Sequence, residues 1–177
     1  KTCVAMKQRP FRAAFDAPTQ AVRQSALLAA LRMGMFTPAQ ALAHSLDDPA
    51  PGVYVRVLRW CKRSRLSPSR GELRDAGLLD DEWRPLRPDL RVLDLLAQVD
   101  HWAACIALLQ GVEAPRIDEA ERWLLHYNAS SMRPTARQWA DIQALLASGK
   151  TGVFASKPSA LRTLRFVLDT MPGMARA

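Results

Sequence analysis

The sequence predicts an all-α fold, and three observations carry that prediction. Ala and Leu dominate while Val, Ile, Thr and Tyr are sparse, a composition that favours helices over strands. Apolar residues recur at helical spacing in one segment after another. The 12 prolines and 8 glycines fall mostly between those segments, where they start and stop them. The expected architecture is eight or nine short helices stacked as antiparallel hairpins, or a short α-solenoid. A length of 177 residues fits a single domain over 1–177. A sub-division into a basic helical half, 1–85, and a helical-hairpin half, 86–177, is the alternative.

The elements follow in order. Pro18-Thr19 opens a helix from Gln20 to Met33, closed by Gly34, with Val22, Ala26, Leu27, Ala30 and Leu31 at helical spacing. Thr37-Pro38 is an N-cap followed by proline at the first helical position, so Thr37–Leu46 is the second helix. Residues 47–52, Asp-Asp-Pro-Ala-Pro-Gly, make a turn. Val53–Arg63 is the third helix, with Val53, Val57 and Trp60 on one side and Arg56, Arg59 and Arg63 on the other. Ser69 and Glu72 have capping-box spacing and start a short helix reaching about Leu79. Asp80-Asp81-Glu82-Trp83-Arg84-Pro85 breaks it. Asp89 caps a segment striped with Leu90, Leu93, Leu96 and Ala97, and a break or continuation near Asp100 leads into His101–Gln110. Three more helices are expected: Asp118–Tyr127, Ala136–Ser148 closed by Gly149, and Ala160–Thr170.

Charge narrows the function classes. The net charge is +8, and 20 of the 25 basic residues are Arg. Arg forks pair bidentately with phosphate or carboxylate, although a GC-rich genome also enriches Arg and Ala. Residues 1–46 carry six basic and one acidic side chain, 51–91 ten and six, 92–148 four and seven, and 150–177 five and one. Such a distribution suits docking onto nucleic acid or an acidic protein surface. Three cysteines, Cys3, Cys61 and Cys105, with no C-x-x-C spacing, fit neither a disulfide scaffold nor a common zinc module. No apolar run reaches the ~18 residues of a transmembrane helix. The first residue is Lys1, not Met, so the chain is read either as a fragment or as a processed protein; a removed organellar presequence gives the expectation of a mitochondrial location, with a cytoplasmic one as the alternative.

Two stretches echo each other. Trp102-Ala103-Ala104-Cys105-Ile106-Ala107-Leu108-Leu109-Gln110-Gly111 parallels Trp139 to Gly149, 37 residues on. Leu93, Leu95 and Leu96, then Trp102, Cys105, Leu108-Leu109 and Pro115 give residues 90–149 a loose similarity to pentatricopeptide-type helical-hairpin repeats. That resemblance implies an α-solenoid binding single-stranded RNA one base per repeat. Leu, Ala and Trp at helical spacing also serve a plain core.

Catalytic chemistry finds little support. Gly149-Lys150-Thr151 looks like the end of a phosphate loop, but Ala144 stands where that loop needs glycine, and a helix precedes it where a strand is required. His101 and Cys105, four apart, share a helix face as two metal ligands would, yet no second pair lies nearby in sequence. There is no G-x-S-x-G or comparable nucleophile setting, and the acidic clusters sit at turns and helix starts. The chain is therefore expected to be non-enzymatic, with no cofactor and no small-molecule substrate.

The remaining signals point to binding. Leu42-Ala43, Leu46, Val53 and Val57 keep intervals close to those of a DNA-binding helix-turn-helix over 36–63, with Asp47 where the tight-turn glycine would stand. The second helix of that unit offers Arg56, Arg59, Lys62 and Arg63. Arg65, Arg70 and Arg74 follow, and the seven together are the candidate surface for nucleic acid or an acidic partner. Trp60 and Trp83, each beside basic residues, suit base stacking. Trp102, Trp123 and Trp139 sit in apolar patterns as core or interface anchors. The expected role is a non-catalytic interaction or scaffold subunit whose partners are the other proteins of a larger assembly, such as a mitochondrial ribosome or respiratory complex. The alternative is a nucleic-acid-binding module, either a hairpin-repeat RNA binder or a helix-turn-helix DNA binder.

Overall fold

A computed structural model describes residues 13–87, 89–110, 133–151, 155 and 158–169. The expected helix 118–127, with Trp123, lies outside the described residues, as do Cys3 and Pro115. The fold is all-α. Its helices are α1 (Gln20–Arg32), α2 (Pro38–Leu46), α3 (Pro51–Arg63), α4 (Arg70–Asp75), α5 (Leu90–Val99), α6 (His101–Leu109), α7 (Ala136–Ser148) and α8 (Pro158–Asp169). Among the described residues the only β pairing is an isolated bridge, Leu79 to Pro85. The chain packs as two compact units, divided between Gly77 and Leu78.

In the first unit, α1, α2 and α3 pack on one another and α4 packs on α2. The reason is visible along each helix. Ala26, Leu27, Ala30 and Leu31 of α1 form an apolar stripe that is buried. So do Ala39, Ala41, Leu42 and Leu46 of α2, and Val53, Tyr54, Val57 and Cys61 of α3. The small alanines, several with no exposed surface, let the helix backbones approach closely. Each buried Leu or Val contributes about 1.5–3 kcal/mol of transfer free energy. Thr37 caps α2 through a reciprocal box: its hydroxyl accepts from Gln40 N–H while the Gln40 side chain accepts from Thr37 N–H, and Pro38 stands at N1. Phe15, Phe36 and His44 stack face to face, with centroids 4.8–5.9 Å apart.

The second unit begins with a tight loop. Leu78 C=O accepts from Leu86 N–H, and Asp80 N–H donates to Arg84 C=O. The acidic run is used inside this loop: Asp80 accepts from both the backbone and the guanidinium of Arg84, and Glu82 takes the other branch of the fork. Helix α5 presents Val92, Leu93, Leu95, Leu96 and Ala97 to the core, and α6 packs on it with Trp102, Ala104, Cys105, Leu108 and Leu109. Asp100 is the corner between them. It closes α5 and caps α6 by accepting from Ala103 N–H, and both of its carboxylate oxygens accept from the Gln138 side-chain amide on α7 at 3.0 Å.

Candidate nucleic-acid interface

Helix α3 has two unlike faces. At 100° per residue, Val53, Tyr54, Val57 and Cys61 occupy an arc of about 100° that is buried. Gly52, Val55, Arg56, Arg59, Lys62 and Arg63 fall in a separate arc of about 120°, and all six are exposed. The helix carries no acidic side chain in its first turn, and Lys62 and Arg63 stand in its last turn, where the dipole favours cations.

Arg65 extends this face past the helix end. Ser64 is the C-cap, Arg65 has φ 55°, and Leu66 N–H donates back to Cys61 C=O while Arg65 N–H donates to Lys62 C=O. This is a Schellman-type closure. Gly34, Gly77 and Gly149 take the same left-handed conformation at the ends of α1, α4 and α7. Of these four left-handed closures, that of α3 is the one made by a residue with a Cβ and a charge.

Counter-charges are elsewhere. Among the described residues, Arg56, Arg59, Lys62, Arg63 and Arg65 form no ion pair. Asp80 and Glu82 are bound to Arg84, and Asp89 to Arg91, rather than to this cluster. Asp48, in the turn before α3, is turned inward. Both of its oxygens accept from Arg23 of α1, at 2.8 and 2.9 Å, and it also accepts from Ala50 N–H. The two side chains are only 11% and 6% exposed. These bonds hold the Asp48 carboxyl below its ordinary value and raise the Arg23 guanidinium above its own, so both stay charged. Asp47 remains at the surface.

The other two candidates stand apart. Arg70 and Arg74 are on α4, which packs against α2. Arg70 is half-buried, and Arg74 lies 2.9 Å from Asp75.

Beside the basic arc runs an open groove of about 520 Å³, lined by Gln24 of α1 and Gly52, Val55, Arg56 and Arg59 of α3. Val55 is half exposed there, at 49%. The sequence pattern found the arginines of this groove but not Gln24 or Val55. A glutamine on a neighbouring helix has no signal in linear spacing, and an exposed valine is common on any surface.

The other sequence candidates look structural. His101 and Cys105 are both buried in α6. Burial pushes the Cys105 thiol up to about 12 and lowers His101, with Asp100 opposing the latter shift. A thiol that resists ionisation is a poor metal ligand, because ligation needs the thiolate. Among the described residues no group of three His, Cys, Asp or Glu is placed to hold a metal ion. Gly149 ends α7 with φ 68°, which makes it a helix terminator rather than part of a phosphate loop. Trp60, Trp83 and Trp139 are half-buried, and Trp102 is buried. No family model, curated protein or solved structure matches the chain.

Proposed function

We propose that the first unit is a nucleic-acid-binding module and that the outer face of α3 is its contact surface. One observation carries the reading: five exposed cations on α3 and its C-terminal closure make no ion pair among the described residues, while the nearest turn carboxylate, Asp48, is neutralised inward. Like charges kept together without counter-ions cost stability through mutual repulsion, and a polyanion relieves that cost. Charge distribution supports the same reading. Residues 1–77 hold 13 basic and 5 acidic side chains, whereas 78–177 hold 12 of each, so the whole net charge of +8 belongs to the first unit.

A second reading, an interaction subunit of a larger assembly, rests on the second unit. There Phe166 of α8 is 68% exposed, and the unit carries no net charge; an exposed ring of this kind suits contact with another protein.

The test is affinity of the full chain for labelled duplex DNA and single-stranded RNA, by fluorescence anisotropy between ~50 and ~200 mM salt. Log affinity is expected to fall linearly with log salt, and Arg56→Glu/Arg59→Glu/Arg63→Glu is expected to abolish binding. No binding of either polymer at ~50 mM salt, together with co-purification of the chain with other proteins at ~150 mM, would replace this reading with the assembly-subunit one.

A further inference from the structure

We infer that the nucleic acid is duplex DNA, and that the N-terminal half of α3 reads base edges in its major groove while the C-terminal half holds the backbone. This rests on the nucleic-acid reading of the same surface and specifies its ligand.

Shape comes first. A nine-residue α2, a four-residue turn (47–50) and a 13-residue α3 pack on each other and on α1. Helices α1 and α2 cover one side of α3 and leave the other side free. At 1.5 Å per residue α3 is ~20 Å long, and a helix of ordinary diameter fits the ~12 Å major groove. The turn between α2 and α3 lies close to where a phosphate strand would run. There the Arg23 fork removes the Asp48 charge from the surface.

Chemistry comes second. A surface built for phosphate alone needs only cations. The groove beside α3 instead mixes three types of side chain: Arg56 and Arg59, the amide of Gln24, and the exposed isopropyl of Val55. Those are the groups that discriminate base edges. Arg pairs bidentately with guanine O6 and N7, Gln with adenine N6 and N7, and an apolar group meets the thymine methyl. Gly52, the second residue of α3, carries no side chain, and this leaves room for Gln20 of α1. Gln20 fills the nearby space, its Nε2 only 2.8 Å from where a Cβ on residue 52 would stand. Lys62, Arg63 and Arg65, at the far end, form the cationic cluster that contacts phosphate.

Single-stranded RNA fits this surface less well. Such ligands are held by stacking on exposed rings. Among the described residues of the first unit Phe15, Phe36 and Trp60 are half-buried and Tyr54 is buried, and the one exposed ring, His44, is already stacked on Phe36 and Phe15.

The experiment is selection of the full chain against a pool of random ~20-base-pair duplexes at ~150 mM salt, followed by anisotropy on the recovered sequence. A recurring motif is expected. Arg56→Ala and Val55→Ala, both surface changes that leave the helical circular-dichroism signal intact, are each expected to relax the preference at one position. The preferred base there should lose roughly 5- to 100-fold of its advantage. Lys62→Ala should weaken all sequences alike and reduce the salt slope by about one. Duplex binding with steep salt dependence but no motif would overturn base reading and leave the nucleic-acid reading standing. Tighter binding of single-stranded RNA than of duplex would do the same. Failure to bind any nucleic acid at ~50 mM salt would overturn both.

Discussion

At the scale of single residues, two side chains show how the first unit trades stability against charge. Arg65 holds a left-handed conformation that glycine takes at three other helix ends, and a residue with a Cβ pays about 1–2 kcal/mol for it. Arg65→Gly is therefore expected to raise stability by about 1 kcal/mol in chemical denaturation while weakening polyanion affinity and lowering the salt slope. If stability rises and affinity is unchanged, Arg65 has no part in the surface. Asp48 works in the opposite sense, since its contacts stabilise the fold. Its folded-state carboxyl lies below the ordinary 3.8 because Arg23 hydrogen-bonds it. The pair therefore contributes fully above that ordinary value and loses its contribution as pH falls through the depressed one. Asp48→Asn should lower the melting temperature by several degrees at pH ~7, and the gap to the parent should narrow as pH falls below the ordinary carboxylate value. A gap of constant size across that range would show that the ionic character of the pair is irrelevant.

At the scale of elements, local capping decides where helices begin, and most of that was readable in the sequence. Thr37, Ser69 and Thr135 each form a reciprocal capping box with the residue three places on. Two of these starts are announced by Thr37-Pro38 and by the Ser69/Glu72 spacing. Helix α4, only six residues long, depends most on its cap. Ser69→Ala is expected to cost about 1 kcal/mol and to expose Leu73, which is buried beneath it, to faster amide exchange. Unchanged exchange at Leu73 would show that packing on α2 alone holds the helix. What the linear pattern missed was of two kinds. The α4 helix was expected to reach about Leu79 but stops at Asp75, because Gly77 at φ 71° turns the chain while Leu78 and Leu79 remain buried after it. Burial, not helicity, made those leucines look periodic. Spacing alone leaves the break at Asp100 open, since Asp100 owes its fixed position partly to Gln138, 38 residues later. Sequence periodicity registers neighbours three and four apart, and it carries no record of such long-range bonds.

At the scale of the whole molecule, the governing fact is how charge is partitioned. Segment by segment along the sequence, both ends look basic and one late stretch looks acidic. Once the division at Gly77/Leu78 is known, the second unit balances to zero and the first holds the entire excess. The difference is also one of pairing. Arg84 and Arg91 of the second unit are consumed by Asp80, Glu82 and Asp89 next to them in sequence. The α3 arginines have no acidic neighbour within a turn along the chain, so no carboxylate next to them in sequence competes with an external anion. The second unit nevertheless has exposed cations of its own, Arg137, Lys150 and Arg162. If net positive charge anywhere on the molecule sufficed, reversing those three would weaken polyanion binding as much as reversing Arg56, Arg59 and Arg63. The arrangement on α3 predicts otherwise. At ~100 mM salt, Arg137→Glu/Lys150→Glu/Arg162→Glu should lose no more than about threefold in affinity and keep the parent salt slope. The α3 triple should lose at least two orders of magnitude, because three contacts to the duplex vanish together and three negative charges take their place. Both triples change the total charge by the same amount, so equal losses would mean that affinity follows overall charge and that the α3 face has no privileged role.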